Sequence, residues 1–328
     1  MVIRKYQLVK GKLKTEVADL TDGVFLTVGE RAFRGNRRLQ EVKLPQQLSA
    51  IKSQAFAKCP YLKTVVLSDG GSVGISVAAF ANCQRLKQVE NDHTVTAIGD
   101  HAFRNCYELE QIAFGASLRK IGDGAFENCR SLTEIQLPAG MKTAGRYAFS
   151  GCWNLENAQL SEGFSTISKG MFQNCVALRD AVIPSTVCEI QSDAYRNCTA
   201  LVRFDLPSSV KTVGTFAFFE CTQLKTVTAE LGCQRIGAFA FAANRELQEV
   251  ILPHSIKRLG FCAFGWKKRE KKIRICVENE YMLRRIRRAL FFCGSWRCAE
   301  AVMTGKTIGE RQRERRRTTL EQQATHIS

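Results

Sequence analysis

The sequence predicts an α/β repeat solenoid that is β-dominated, with a parallel sheet on one face and short helical turns on the other. Three observations predict it. Aromatic residues recur at Phe33, Phe56, Phe80, Phe103, Phe126, Phe149, Phe172, Tyr195, Phe218, Phe241 and Phe264, always 23 residues apart except for 24 between Phe56 and Phe80. Three residues after the aromatic stands Cys59, Cys83, Cys106, Cys129, Cys152, Cys175, Cys198 or Cys221, with Asn36 and Asn244 near the two ends. Six residues after it stands a leucine, from Leu39 to Leu247. Self-similarity at a fixed period of this length signals stacked supersecondary units rather than one large core.

Each part of the unit has a physical reading. The segment Leu-x-x-Val-x-Leu, as in Leu132, Ile135 and Leu137, alternates inward and outward side chains and reads as a strand. Prolines 45, 138, 184, 207 and 253 close that segment, since proline has no N–H to donate to a ladder. Ala-Phe-x-x-Cys spaces its apolar groups three apart, which fits one tight helical turn. A second apolar pair, such as Leu118 with Ile121, precedes the next aromatic and is often followed by glycine, as at Gly122 and Gly145. One coil cannot bury its apolar edge alone, and stacking buries it. At a strand spacing of about 4.8 Å, eleven coils span roughly 50 Å.

Residues Ile121–Pro138 read IGDGAFENCRSLTEIQLP. This pattern, Ile-Gly-x-x-Ala-Phe-x-x-Cys-x-x-Leu-x-x-Ile-x-Leu-Pro, resembles the BspA-like class of bacterial leucine-rich repeats over about residues 20–278. The resemblance implies a right-handed leucine-rich-repeat superhelix. It also implies a surface or secreted protein engaged in adhesion and protein binding.

The chain is thereby divided into an N-terminal cap (1–20), a solenoid of about eleven coils (21–278), a C-terminal capping helix region (279–303) and a basic tail (304–328). Tyr6, Leu8, Gly11 and Leu13 suggest a hairpin in the first cap. Met282, Leu283, Ile286, Ala289 and Leu290 mark the apolar face of the capping helix, opposite Arg284, Arg285, Arg287 and Arg288. That amphipathic pattern also suits a membrane-surface helix. The tail, with RQRERRRTTLEQQ, is expected to be disordered. No apolar run approaches the roughly 18 residues of a membrane span. The N-terminal residues MVIRKYQLVKGKLKTEVADL carry no apolar signal core, so a cytoplasmic location is expected, or the cell surface if a leader precedes them.

Of the chemistry-bearing motifs, most read as packing. The cysteine column suits a small buried side chain repeated once per coil, with neighbouring Cβ vectors parallel rather than facing for disulfides. Cys293 and Cys298 have no zinc-type partners, which leaves a local disulfide or free thiols. Gly70-Gly71-Ser72-Val73-Gly74 spells a nucleophile-elbow motif in the one lengthened connection, with His93 one coil further on as a conceivable base. An enlarged glycine loop explains it without an enzyme. Gly305-Lys306-Thr307 lacks the earlier glycine of a phosphate loop, since Glu300 occupies that position. Neither metal nor cofactor is expected, and the chain reads as a non-enzyme.

The binding face can be read from the strand. Outward side chains lie eight and ten residues after each aromatic, in two columns that include Glu41, Glu134, Asp180, Arg203 and Glu249, then Lys43, Glu90, Gln136, Asp205, Thr228 and Ile251. The two columns hold six acids against two bases, although the chain carries a net charge of +17. That sign suits a protein or peptide partner and opposes nucleic acid on this face. The basic excess is concentrated after Trp266, where 17 Lys+Arg stand against 7 Asp+Glu. Nucleic-acid or anionic-surface contact is therefore the alternative, through Lys267, Lys268, Arg269, Lys271, Lys272, Arg311, Arg313, Arg315, Arg316 and Arg317. The chain is expected to be a monomer.

Overall fold

A typical repeat contributes a strand, a tight turn and a second, shorter strand before the next repeat begins one layer further along. In the computed structural model, which describes residues 2–3, 16–22, 26–179, 181–265 and 272–304, these layers form a strand-dominated parallel β-solenoid of about 12 turns. The first row of strands comes from the Leu-x-x-Val-x-Leu segments. It runs through Val17–Asp19, Glu41–Lys43, Thr64–Val66 and Gln88–Glu90, resumes with Glu134–Gln136 and Asn157–Gln159, and ends with Arg203–Leu206, Thr226–Ala229, Glu249–Ile251, Ile273–Val277 and Ala299–Met303. All pairings are parallel and keep the repeat register, as in Val42 opposite Val65 opposite Val89.

A second row was not anticipated from the sequence. The apolar pair before most of the aromatics makes a short parallel strand of its own, for example Lys120–Ile121, Glu189–Ile190 and Arg235–Ile236, whereas none forms before Phe149. A third row consists of the Ala-Phe-x-x-Cys turns. Each aromatic N–H donates to the carbonyl that precedes the next aromatic, as Phe103 N to Ala125 O at 2.7 Å and Phe126 N to Ala148 O at 2.8 Å. These segments are successive i→i+3 turns rather than helix. The reason is a left-handed residue on each side of the aromatic, such as His101 (φ 56°) and Asn105 (φ 61°) around Phe103. Asparagine tolerates that conformation better than most residues. The stacked asparagines also bond one another, Asn105 Nδ2 to Asn82 Oδ1 at 3.0 Å and Asn128 Nδ2 to Asn105 Oδ1 at 2.9 Å.

Between the three rows lies one continuous core. The repeating aromatics stack from Phe33 to Phe264, with centroids between 4.8 Å (Phe33–Phe56) and 6.0 Å (Phe241–Phe264). Parallel rings at such separations add about 0.5–1.5 kcal/mol per pair beyond area burial. The cysteines fill the adjoining column, and each donates its S–H to the carbonyl of the preceding coil's aromatic. Cys129 Sγ reaches Phe103 O at 3.3 Å, and Cys221 Sγ reaches Tyr195 O at 3.1 Å. A small hydrophobe with a weak donor is what this slot requires. Glycine after the second apolar pair has an equally local cause. A Cβ on Gly145 would lie 2.3 Å from the backbone carbon of Gly122 in the coil before.

The ends extend the same rows. Val2–Ile3 pairs with Thr27–Val28, and Val17–Asp19 pairs with Glu41–Lys43. The hairpin expected through Tyr6, Leu8, Gly11 and Leu13 lies outside the described residues, as do residues 305–328 of the tail. The helix Glu280–Phe292 (α1) starts at Asn279, whose side chain accepts the Met282 N–H, and buries Met282, Leu283, Ile286 and Leu290. After it, Ala299–Met303 returns to the first row and pairs with Ile273–Val277. Cys298 donates to Phe264 O at 3.3 Å, repeating the bond made by the cysteines of the coils.

Candidate functional site

The first row of strands turns a stack of side chains outward, and among the described residues its ladder is broken between Asn157–Gln159 and Arg203–Leu206 and, with a change of sequence pattern, within residues 91–116. In most coils leucine fills the inward position eleven after the aromatic, as Leu67 and Leu137 do, but here Asn91 and Phe114 stand in that position. Asn91 adopts a left-handed conformation (φ 58°) and donates its amide to Leu67 O at 2.6 Å. A short 3-10 turn, Asp92–Thr94, follows. The Asp92 carboxylate then accepts the Ala113 N–H at 2.6 Å, so residues 111–113 are held by a side chain and form no strand. Phe114 is half-buried and meets Phe126 edge-on at 5.6 Å.

The interruption opens a cavity of about 1060 Å³ on the strand face, between Gln88–Glu90 on one side and Asn157–Gln159 on the other. Its floor is apolar, with Ile112, Phe114, Leu137 and Pro138. Its walls carry carboxylates from Glu90, Asp92 and Glu134 and amides from Gln88, Gln111, Gln136, Asn157 and Gln159. Gln88 Nε2 donates to Glu90 Oε1 at 2.9 Å, which orients that carboxylate. Burial holds the Asp92 carboxyl above its ordinary value, against the Ala113 N–H and the neighbouring His93, which favour the ionised form. The volume lies just above the range for small-molecule pockets, about 300–1,000 Å³, and suits an extended segment laid along the groove.

The other residues expected on this face fall at different places. Glu41 and Lys43 lie on one strand and pair with each other at 3.6 Å, beside a smaller depression of about 430 Å³ that includes Lys43. Arg203 and Asp205 likewise pair along one strand. Glu249 stands opposite Thr226 and Arg274 and accepts from Cys276 Sγ at 3.2 Å. Thr228 and Ile251 were expected to face outward and are buried instead, and Ile251 packs against Cys276 and Val302 of the next two strands. Asp180 lies outside the described residues. Of the strand-face residues named from the sequence, the cavity brings together Glu90, Glu134 and Gln136. Gln111 falls in the first outward column, eight after Phe103, whereas Asp92 and Phe114 were missed; the signal available was the departure from leucine at Asn91 and Phe114.

Of the basic residues, Lys272 is exposed, while Lys267, Lys268, Arg269, Lys271 and Arg311, Arg313, Arg315, Arg316 and Arg317 lie outside the described residues. Ser72 is exposed and leads into the strand Val73–Ile75, not into the helix that a nucleophile elbow requires. His93 Nε2 faces Asp69 Oδ1 at 3.0 Å. Cys293 and Cys298 are not joined to each other by a disulfide. Among the described residues no cluster of His, Cys, Asp and Glu could hold a metal, and no helix is long and apolar enough to cross a membrane.

Comparison with known proteins agrees with this architecture. The family model for the BspA type leucine rich repeat region matches six copies, at residues 13–90, 73–202 and 189–296. The chain belongs to the BspA-type leucine-rich repeat family. Solved structures similar to this family member include the pneumococcal vaccine antigen PcpA, at 17% identity and a TM-score of 0.55, covering 89% of this chain and 80% of that one. A leucine-rich repeat protein from Bacteroides ovatus is similar at 17% identity and a TM-score of 0.50, covering 88% and 92% respectively. A leucine rich cell surface protein from Faecalibacterium prausnitzii shares 21% identity with a TM-score of 0.48, over 89% of each chain. No curated protein sequence matches the chain. The family match and the first two likenesses establish the scaffold; the repeat fold is consistent with a protein-interaction module.

Proposed function

We propose that the protein is a non-enzymatic, adhesin-like interaction module that binds an extended, basic segment of another protein in the cleft at the ladder break. The observation that carries this reading is the cavity itself: an apolar floor between walls of carboxylates and side-chain amides on the strand face. Glutamine and asparagine side chains can donate to and accept from a peptide backbone. Glu90, Asp92 and Glu134 supply the charge that selects lysine or arginine. Repeat proteins use extended faces of this kind for binding.

The test is a displayed library of random peptides panned against the full chain. Enriched sequences should be rich in Lys and Arg, and their affinity should fall about tenfold or more for Glu90→Lys with Glu134→Lys, since like charge across an interface opposes binding by several kcal/mol. Enrichment without basic character, or affinity indifferent to both substitutions, overturns the reading.

A further inference from the structure

The C-terminal cap exposes its largest apolar side chains rather than hiding them. Phe261 is 62% exposed, Phe291 64%, Phe292 72% and Trp296 47%, although the cap around them is firmly built. Ser295 is fully buried and accepts the Phe264 N–H at 3.2 Å, and Cys298 is bonded to Phe264 O. The exposure is therefore a property of a fixed surface. On α1, Tyr281, Arg284, Arg288, Phe291 and Phe292 recur at steps of three and four residues and share the outward face. Trp296 and Arg297 continue that face beyond the helix, where Trp296 lies 6.4 Å from Phe291.

Aromatic and guanidinium groups interleave there. Arg288 lies over the Phe292 ring at 5.7 Å and Arg297 over the Trp296 ring at 5.2 Å. Residues 279–303 hold five arginines against Glu280 and Glu300, and Glu280 is paired with Arg284 at 3.3 Å. Clustered exposed aromatics mark an interaction surface. Tryptophan and phenylalanine beside arginine suit the boundary between lipid headgroups and acyl chains, where the ring is buried and the cation meets phosphate. A second copy of the chain fits poorly, because a two-fold contact through this face would oppose arginine to arginine. Single-stranded nucleic acid needs a ring face open to a base. Here Phe291 and Phe292 are edge-on to each other at 83°, and the Phe292 and Trp296 rings are each approached by an arginine.

We infer that the C-terminal cap is a docking surface for an anionic lipid bilayer, with Phe291, Phe292 and Trp296 entering the headgroup region and Arg288 and Arg297 binding lipid phosphates. The strand-face cleft and this patch are different surfaces made of different residues, so one can fail without the other.

The experiment uses the full chain with vesicles of phosphatidylcholine, with and without phosphatidylglycerol, and follows binding by flotation and insertion by quenching of tryptophan with brominated lipid. Binding should require phosphatidylglycerol. Phe291→Ser with Phe292→Ser should weaken it about tenfold or more, each aromatic contributing most of a decade when partly buried. Arg288→Gln with Arg297→Gln should weaken it about fivefold per charge. Trp296→Phe should bind normally and lose most of the quenching. A chain with Arg311, Arg313, Arg315, Arg316 and Arg317 all changed to Gln should keep the quenching, which separates the patch from the tail. Circular dichroism of every variant should match the parent, and a variant that fails this check is replaced by Phe292→Ser alone. The inference is overturned by failure to bind phosphatidylglycerol vesicles, or by binding that ignores the aromatic substitutions. It is also overturned by tighter, aromatic-dependent binding to a single-stranded oligonucleotide, or by a dimer that the aromatic substitutions dissolve.

Discussion

Replacing Asp92 by alanine removes the acceptor that holds Ala113 N–H at 2.6 Å and with it the tie that shapes one wall of the cleft. A hydrogen bond to a charged group is worth about 1.5–3 kcal/mol. Asp92 keeps contact with solvent, so the loss should lie toward the lower end, about 1–2 kcal/mol. Asp92→Asn should behave differently, because the amide oxygen still accepts while the charge that burial disfavours is gone. Its effect at neutral pH should stay within about 0.5 kcal/mol. The sign follows from the carboxyl being held above its ordinary 3.8. The stability linked to its titration is complete below 3.8 and is lost as pH rises through the raised folded value; at neutral pH the ionised group keeps its bond to the Ala113 N–H but carries a desolvation cost that asparagine relieves. Urea unfolding gives the stability difference, and amide exchange at Ala113 reads the bond itself. Exchange at Ala113 should accelerate in Asp92→Ala and remain close to the parent in Asp92→Asn. Unchanged exchange in Asp92→Ala would refute the role given to this carboxylate.

Three further outcomes follow from the same geometry. Phe126 is fully buried between Phe103 and Phe149, so Phe126→Ala should cost about 3–5 kcal/mol in urea unfolding, and Phe33→Ala, whose ring stacks on Phe56 among the described residues, should cost less. Burial pushes the thiols of Cys152 and Cys221 up to about 12 from an ordinary 9.0. Unfolded thiols ionise first, so stability should fall from 9.0 toward about 12, by about 1.4 kcal/mol per pH unit and thiol, and Cys152→Ala should flatten that fall in reducing buffer. Gly145→Ala should destabilise by more than the about 1 kcal/mol typical of a point substitution, because its Cβ would strike the Gly122 backbone; an unfolding midpoint equal to the parent's would contradict this.

The repeat was legible because every inward position recurs once per coil, so eleven copies vote on each column. The cysteine column was legible as packing, and the structure adds the reason for sulfur: each thiol caps a carbonyl that alanine would leave with one partner fewer. The second row of strands was less legible, since two-residue strands such as Lys120–Ile121 are too short to show alternation. On the binding face, Glu90, Glu134 and Gln136 could be placed by counting from the aromatic. Asp92 could not, because its role depends on Asn91 turning left-handed and breaking the count. Ile251 failed for another reason: the outward column continues into Cys276 and Val302, and three apolar neighbours in one column bury each other.

The cleft is tested most directly by placing a photocrosslinking residue at Gln136, inside it, and at Arg130, on the turn face of the solenoid where it stacks between Tyr107 and Trp153. A basic peptide selected from the random library should crosslink to the chain from position 136, with the yield abolished by Glu90→Lys and Glu134→Lys, and should give no product from position 130. Equal yield from both positions, or crosslinking at 136 that survives the charge reversals, would contradict binding in the cleft.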